Sequence, residues 1–148
     1  MDVDELLKRY DKGERDFSRI DLNGMYLELC SLERANFSKA NFRNISMSGV
    51  MMQGTIFEEA DLSSASIIEC NLSWVNFRNA NLEEVDFYGS NLYYTNLERA
   101  NLSNAYLGES SLTGVNFRNA NIEGVSLNSY DTRDVIMPNG EIITMLPD

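Results

Sequence analysis

Every fifth residue from Phe17 to Leu127 is apolar, an unbroken series of twenty-three that begins Phe17, Leu22, Leu27, Leu32, Phe37 and ends Leu112, Phe117, Ile122, Leu127. Neither regular element produces that period. On an α-helix, successive fifth positions step by about 140° and wander round the cylinder, and on a flat strand they alternate between the two faces. The chain therefore has to turn once in every five residues. From Leu32 on, the position two before each large apolar residue holds a small or β-branched one, among them Ala35, Ala40, Ala60, Ala65, Ala80, Ala100, Ala105 and Ala120, with Cys30, Cys70, Val75 and Val85. Each unit thus points one small and one large side chain inward. Between them Asn or Asp dominates, as at Asn36, Asn41, Asp61, Asn71, Asn76, Asn81, Asp86 and Asn101. Such side chains hydrogen-bond their own backbone in turns. Each unit reads as a short extended piece ending in a corner.

A second period sets the number of corners in one circuit. Five of the seven Phe residues, Phe17, Phe37, Phe57, Phe77 and Phe117, lie on one twenty-residue lattice with Leu97 in the gap, and Ala40, Ala60, Ala80, Ala100 and Ala120 form another. Four units make one coil. Residues twenty apart then stack one layer over the next at about 4.8 Å, giving nearly six coils and a rod roughly 28 Å long.

The units Ala35-Asn36-Phe37-Ser38-Lys39, Ala60-Asp61-Leu62-Ser63-Ser64, Ala80-Asn81-Leu82-Glu83-Glu84 and Ala100-Asn101-Leu102-Ser103-Asn104 resemble the A(D/N)LXX motif of the pentapeptide-repeat proteins. The resemblance covers about three quarters of the chain and implies an all-β solenoid, a right-handed quadrilateral β-helix. Spacing alone implies four sides without fixing the hand.

The ends leave the repeat. Leu6, Leu7 and Tyr10 fall at helical spacing, with acidic residues before them, Lys8, Arg9 and Lys12 later and Gly13 as a stop, which predicts a short amphipathic helix over the first coil. The five-residue register fails at Thr132, and Pro138-Asn139-Gly140 separates two β-branched stretches, Val135-Ile136 and Ile142-Ile143, which predicts a hairpin-like cap. Solenoids need their terminal layers covered. The expected organisation is one domain, with a capping helix over 1–14, the repeat solenoid over 15–129 and a cap and tail over 130–148.

Charge and composition narrow the function. Twelve Lys and Arg against twenty-three Asp and Glu give a net charge of −11, which argues against direct nucleic-acid binding, since neutralising phosphates takes a basic patch. The acidic start Met1-Asp2-Val3-Asp4-Glu5 is unlike a signal peptide, and no apolar run approaches a membrane span, so the expected location is the cytoplasm with no membrane association. Cys30 and Cys70 share an inward column two coils apart. A separation of about 9 to 10 Å exceeds disulfide reach, and free thiols follow. The chain has no His and no phosphate-binding loop or metal-ligand spacing, so no catalytic, cofactor or metal residue is assigned. The carboxylate pairs Glu58-Glu59 and Glu83-Glu84 take the two outward positions of their units, without the sheltered pocket an acid/base pair needs.

The informative variation is outside. With the unit around Phe17 as face one, faces two and three hold the candidate acidic residues Asp61, Glu83, Glu84, Glu123, Glu69, Asp86 and Glu109, together with Asp21 and Glu28, against a lone Arg43. Face one mixes Arg19, Lys39, Arg78, Arg99 and Arg118 with Glu58, Glu59 and Glu98. Face four is nearly neutral and places Trp74 and Tyr94 at one outward site twenty residues apart, with Tyr93 alongside and the Ile68 and Tyr88 column on face three. Aromatics at that site mark a candidate protein-binding surface, because Trp and Tyr dominate binding hot spots. The reading is a non-catalytic interaction module, monomeric or weakly self-associating, whose partner is another protein. The family resemblance adds an alternative, since some members imitate an acidic DNA duplex and occupy DNA gyrase. Those members typically dimerise through a helical C-terminal module, and the quinolone-resistance type interrupts its coils with loops, neither of which is legible here.

Overall fold

The computed structural model describes residues 1–127, 129 and 131–144. Its regular elements are few: helix α1 (Val3–Asp11), strands β1 (Tyr26–Glu28), β2 (Ser46–Ser48) and β3 (Ser66–Ile68), and a terminal pair, β4 (Val135–Ile136) and β5 (Ile142–Ile143). The rest is held by a ladder of single parallel bridges. Strands β1, β2 and β3 pair in parallel with a shift of twenty residues, Leu27 beside Met47 beside Ile67. The same shift joins units on the other faces, from Asp16 and Asn36 at one end to Asn116 and Ile136 at the other.

The backbone explains why so few strands suffice. The central residue of each unit donates to the carbonyl one coil on, Phe57 N to Asn76 O at 2.7 Å and Phe77 N to Asn96 O at 2.8 Å. The Asx residue donates back to the coil before, Asn81 N to Ala60 O at 2.9 Å. At most corners the chain closes a tight turn, as where Ala80 N donates to Phe77 O at 2.9 Å, and Asn76 Oδ1 accepts from Arg78 N at 2.9 Å. The last residue of the unit then takes a left-handed conformation, with φ of 60° at Arg34, 62° at Trp74, 56° at Glu84 and 58° at Arg99. A positive φ at the third turn residue is what a type II turn requires. Glycine would adopt it most easily, yet charged and aromatic residues hold it here because the ladder on both sides fixes the backbone.

Inside, the twenty-residue translation stacks like on like. Phe37, Phe57 and Phe77 lie ring over ring at 5.2 and 5.3 Å, and Phe42 packs edge-on against Phe57 at 5.0 Å. Central residues from Phe17 to Phe117 are buried. The polar side chains in this interior are satisfied locally, Thr55 Oγ1 donating to Met52 O at 2.8 Å and Ser90 Oγ to Ile67 O at 2.8 Å, as burial of a hydroxyl demands.

Helix α1 begins with Asp2 accepting from Glu5 N at 2.9 Å and ends at Gly13, whose φ of 98° suits only glycine comfortably. Leu6 is fully buried, Leu7 and Tyr10 pack on the core, and Tyr10 Oη donates to Glu33 O at 3.0 Å. Arg9 lies over the Phe17 ring and pairs with Glu14.

At the other end, β4 and β5 form an antiparallel hairpin about the turn closed by Gly140 N and Met137 O. The sequence register, broken at Thr132, is resumed by the backbone: Leu112 N donates to Asp131 O, Phe117 N to Ile136 O and Asn119 N to Pro138 O. Val135 fills the small inward position below Val115 and is buried. One polar side chain interrupts the apolar column without interrupting the ladder, because the main chain carries the ladder's hydrogen bonds. The expected cap also includes Tyr130 and residues 145–148, which lie outside the described residues.

Cys30 and Cys70 are both free, the first half-buried and the second buried. Burial pushes the Cys70 thiol up to about 11.

Candidate functional site

The left-handed corner where face four meets face one determines how its side chain leaves the rod. At that position a side chain leans toward the next coil, so what it meets is set by the residue twenty further on. Trp74 meets Tyr94: the rings stack at 4.6 Å between centroids and 8° between planes, and remain 65% and 48% exposed. Tyr94 in turn leans over Gly114, where an added Cβ would lie 2.6 Å from the ring's Cε1. A glycine below is what gives the lower ring its place.

The strip anticipated from the sequence divides in two. Tyr93 is half-buried and turns away from the pair toward the column of Asn91, its hydroxyl 3.4 Å from Asp131 Oδ2. Asp131 also accepts from Arg133 at 3.0 and 3.1 Å, and the guanidinium holds the carboxyl below its ordinary range. Tyr88 stacks parallel to Tyr106, with centroids 6.4 Å apart, and Ile68 sits half-buried at the end of β3 in the column above Tyr88. Tyr106 was missed in sequence because it occupies the Asx site of its unit, where aromatics carry no turn signal. The signal available was Gly108 two residues later: an added Cβ there would run into the phenol end of Tyr106.

The acidic residues differ in how far they are compensated. Asp61 lies 3.9 Å from Arg43. Glu83, Glu84, Glu69, Glu109 and Glu123 are exposed, and Asp86 spends one oxygen accepting from Tyr88 N at 2.9 Å. On face one, by contrast, opposite charges meet between coils, Lys39 with Glu59 at 3.7 Å and Arg78 with Glu58 at 3.8 Å. Among the described residues no group of three or more His, Cys, Asp or Glu side chains is placed to hold a metal ion, and no helix is long and apolar enough to cross a membrane.

A twenty-residue ladder continuous from Asp16 to Asn121, with a corner every five residues, is the architecture of a repeat family. The chain belongs to the pentapeptide-repeat proteins: Pentapeptide repeats, in eight copies, match residues 70–107 and 90–128, and the Pentapeptide repeat region matches residues 20–85. Members of this family fold as right-handed quadrilateral β-helices. The chain is similar to the pentapeptide repeat protein Rfr23 from the cyanobacterium Cyanothece 51142, at 25% identity over 86% of this chain and 98% of that one, with a TM-score of 0.50. It is also similar in fold to QnrB1, a plasmid-mediated fluoroquinolone resistance protein, at 21% identity over 82% of this chain and 67% of that one, with a TM-score of 0.61. No curated protein matches the sequence.

Proposed function

We propose that this protein is a non-catalytic interaction module, acting in the cytoplasm, whose stiff rod presents the Trp74 and Tyr94 rings to a protein partner. The rod is read as nearly six coils over residues 15–129, with 1–14 covering one end and 130–148, whose Asp131 and Ile136 still bridge to the coil before, covering the other. The observation that carries the reading is the pair of stacked rings, 65% and 48% exposed, on a backbone whose every coil is hydrogen-bonded to the next. Large aromatic surface on a rigid support loses little conformational entropy on binding, the usual property of a hot spot. Ile68, Tyr88 and Tyr93 lie off this pair, Tyr93 turned toward Asp131 and Tyr88 stacked on Tyr106 beside the acidic residues of face three. Replacing Trp74 and Tyr94 together by Ser should abolish capture of the partner from the native cell while the fold persists. Capture unchanged would remove the surface from consideration.

A second reading is favoured by the charge of −11 and the row Asp61, Glu83, Glu84, Glu69, Asp86, Glu109 and Glu123: an acidic rod imitating duplex DNA toward a DNA-binding enzyme such as gyrase. The ladder, which no loop breaks between Asp16 and Asn121, and the β4–β5 hairpin weigh against it. Purified protein at micromolar concentration should inhibit gyrase supercoiling under this reading, and the absence of inhibition removes it.

A further inference from the structure

Face three carries Glu28, Glu69, Asp86 and Glu109 and not one Lys or Arg. Face one neutralises comparable carboxylates across its coils, whereas among the described residues none of these four forms an ion pair. Amid them stand Tyr88 and Tyr106, 40% and 52% exposed, with parallel rings. Two glycines shape the spot. Gly108 leaves room for the Tyr106 ring, whose Cε1 would lie 2.8 Å from an added Cβ, and Gly89 lets the Glu69 chain pass, its Cγ at 3.2 Å from the corresponding position. Glu69 therefore runs beside the residue that follows Tyr88, and Glu109 follows Gly108 directly.

We propose that the Tyr88–Tyr106 pair with Glu69 and Glu109 is a docking site for an arginine-bearing segment of a basic partner protein. The argument is charge complementarity with a geometric selector. Exposed ring faces attract a cation through their quadrupole, and flanking carboxylates supply the countercharge. A planar guanidinium can lie on a ring while its edge meets a carboxylate in two parallel hydrogen bonds; an ammonium, as a point charge, cannot do both. The site thus selects arginine over lysine and repels acidic segments and nucleic acid. The inference rests on the interaction-module reading but on rings other than Trp74 and Tyr94.

The test is a titration of the full chain, followed residue by residue through backbone amide NMR, with a synthetic peptide of alternating Arg and Ser and its Lys-Ser counterpart. The arginine peptide should shift Tyr88, Gly89, Tyr106, Gly108 and Glu109 and bind about five-fold more tightly than the lysine peptide. Gly108→Ala is the decisive variant, because Gly108 has no left-handed φ and only the mobile end of Tyr106 has to move. It should weaken the arginine peptide about five-fold with the core resonances in place, and Trp74→Ser with Tyr94→Ser should leave the affinity unchanged. Shifts spread evenly over faces two and three, equal affinity for the two peptides, or indifference to Gly108→Ala would overturn the site. Absence of peptide binding while the Trp74/Tyr94 variant still loses its partner overturns this site alone. Peptide binding at face three with partner capture unaffected by that variant supports it and removes the other surface.

Discussion

The Phe ladder inside the rod and the Trp74–Tyr94 pair outside it are made by the same device. Each consists of rings one coil apart, stacked because the backbone repeats every twenty residues: 5.2 to 5.3 Å between Phe37, Phe57 and Phe77, and 4.6 Å between Trp74 and Tyr94. They differ in water. The Phe rings are fully buried, and the outer pair is about half or more exposed. Stacking geometry is therefore not evidence of a structural role. Burial is what converts a stack into stability, and an exposed stack on a rigid frame is surface held ready for contact.

The comparison breaks most visibly at Phe77. Phe77→Ala removes a ring from the middle of a column whose hydrogen-bonded coils cannot close on the cavity, so equilibrium unfolding in urea should show a loss of about 3 to 5 kcal/mol. A loss below about 1 kcal/mol would mean that the ladder does not carry the fold.

Alkaline pH probes the interior next. Cys70 sits near 11 in the fold against an ordinary 9.0. A raised folded value favours the protonated thiol, so its contribution is complete below pH 9 and is lost as pH rises from 9 to about 11, on the order of 2 kcal/mol. Stability measured across that window should fall for the native chain and fall less for Cys70→Ala. Equal slopes would show Cys70 to be solvated.

Between inside and outside lie the turn-holding side chains. Asn76→Ala deletes the acceptor for Arg78 N and should cost about 1 kcal/mol by the same unfolding measurement. Glu58→Gln breaks the 3.8 Å pair with Arg78 on the half-exposed face and should cost less than about 0.5 kcal/mol, with the difference vanishing in high salt. A Glu58 effect larger than that of Asn76 would reverse the ranking of turn over charge.

The interior was legible because the central position of every unit from Phe17 to Phe117 is apolar, so that lattice could be read as core directly. The corners were less so. Left-handed residues such as Arg34, Trp74 and Glu84 are imposed by the ladder on either side rather than by their own preference, and nothing in a single unit announces them. Thr132 misled in the opposite direction: a polar side chain in the apolar column suggested that the coil had ended, while the backbone bonds of Asp131, Ile136 and Pro138 continue it. At the surface, side-chain columns predicted that Trp74 would meet Tyr94. They placed Tyr93 beside the pair, where the structure sends it toward Asp131, and they passed over Tyr106. Inward neighbours follow from period alone, whereas outward neighbours depend on where a neighbouring glycine leaves room.

Trp74 is the chain's one tryptophan, so the outer pair reports on itself. The most direct measurement compares the native chain with Trp74→Ser/Tyr94→Ser in urea unfolding and in partner capture on the same preparation. The account predicts stability within about 0.5 kcal/mol of native and capture abolished; a loss of several kcal/mol with capture intact would place the outer stack with the Phe ladder, as structure rather than binding surface.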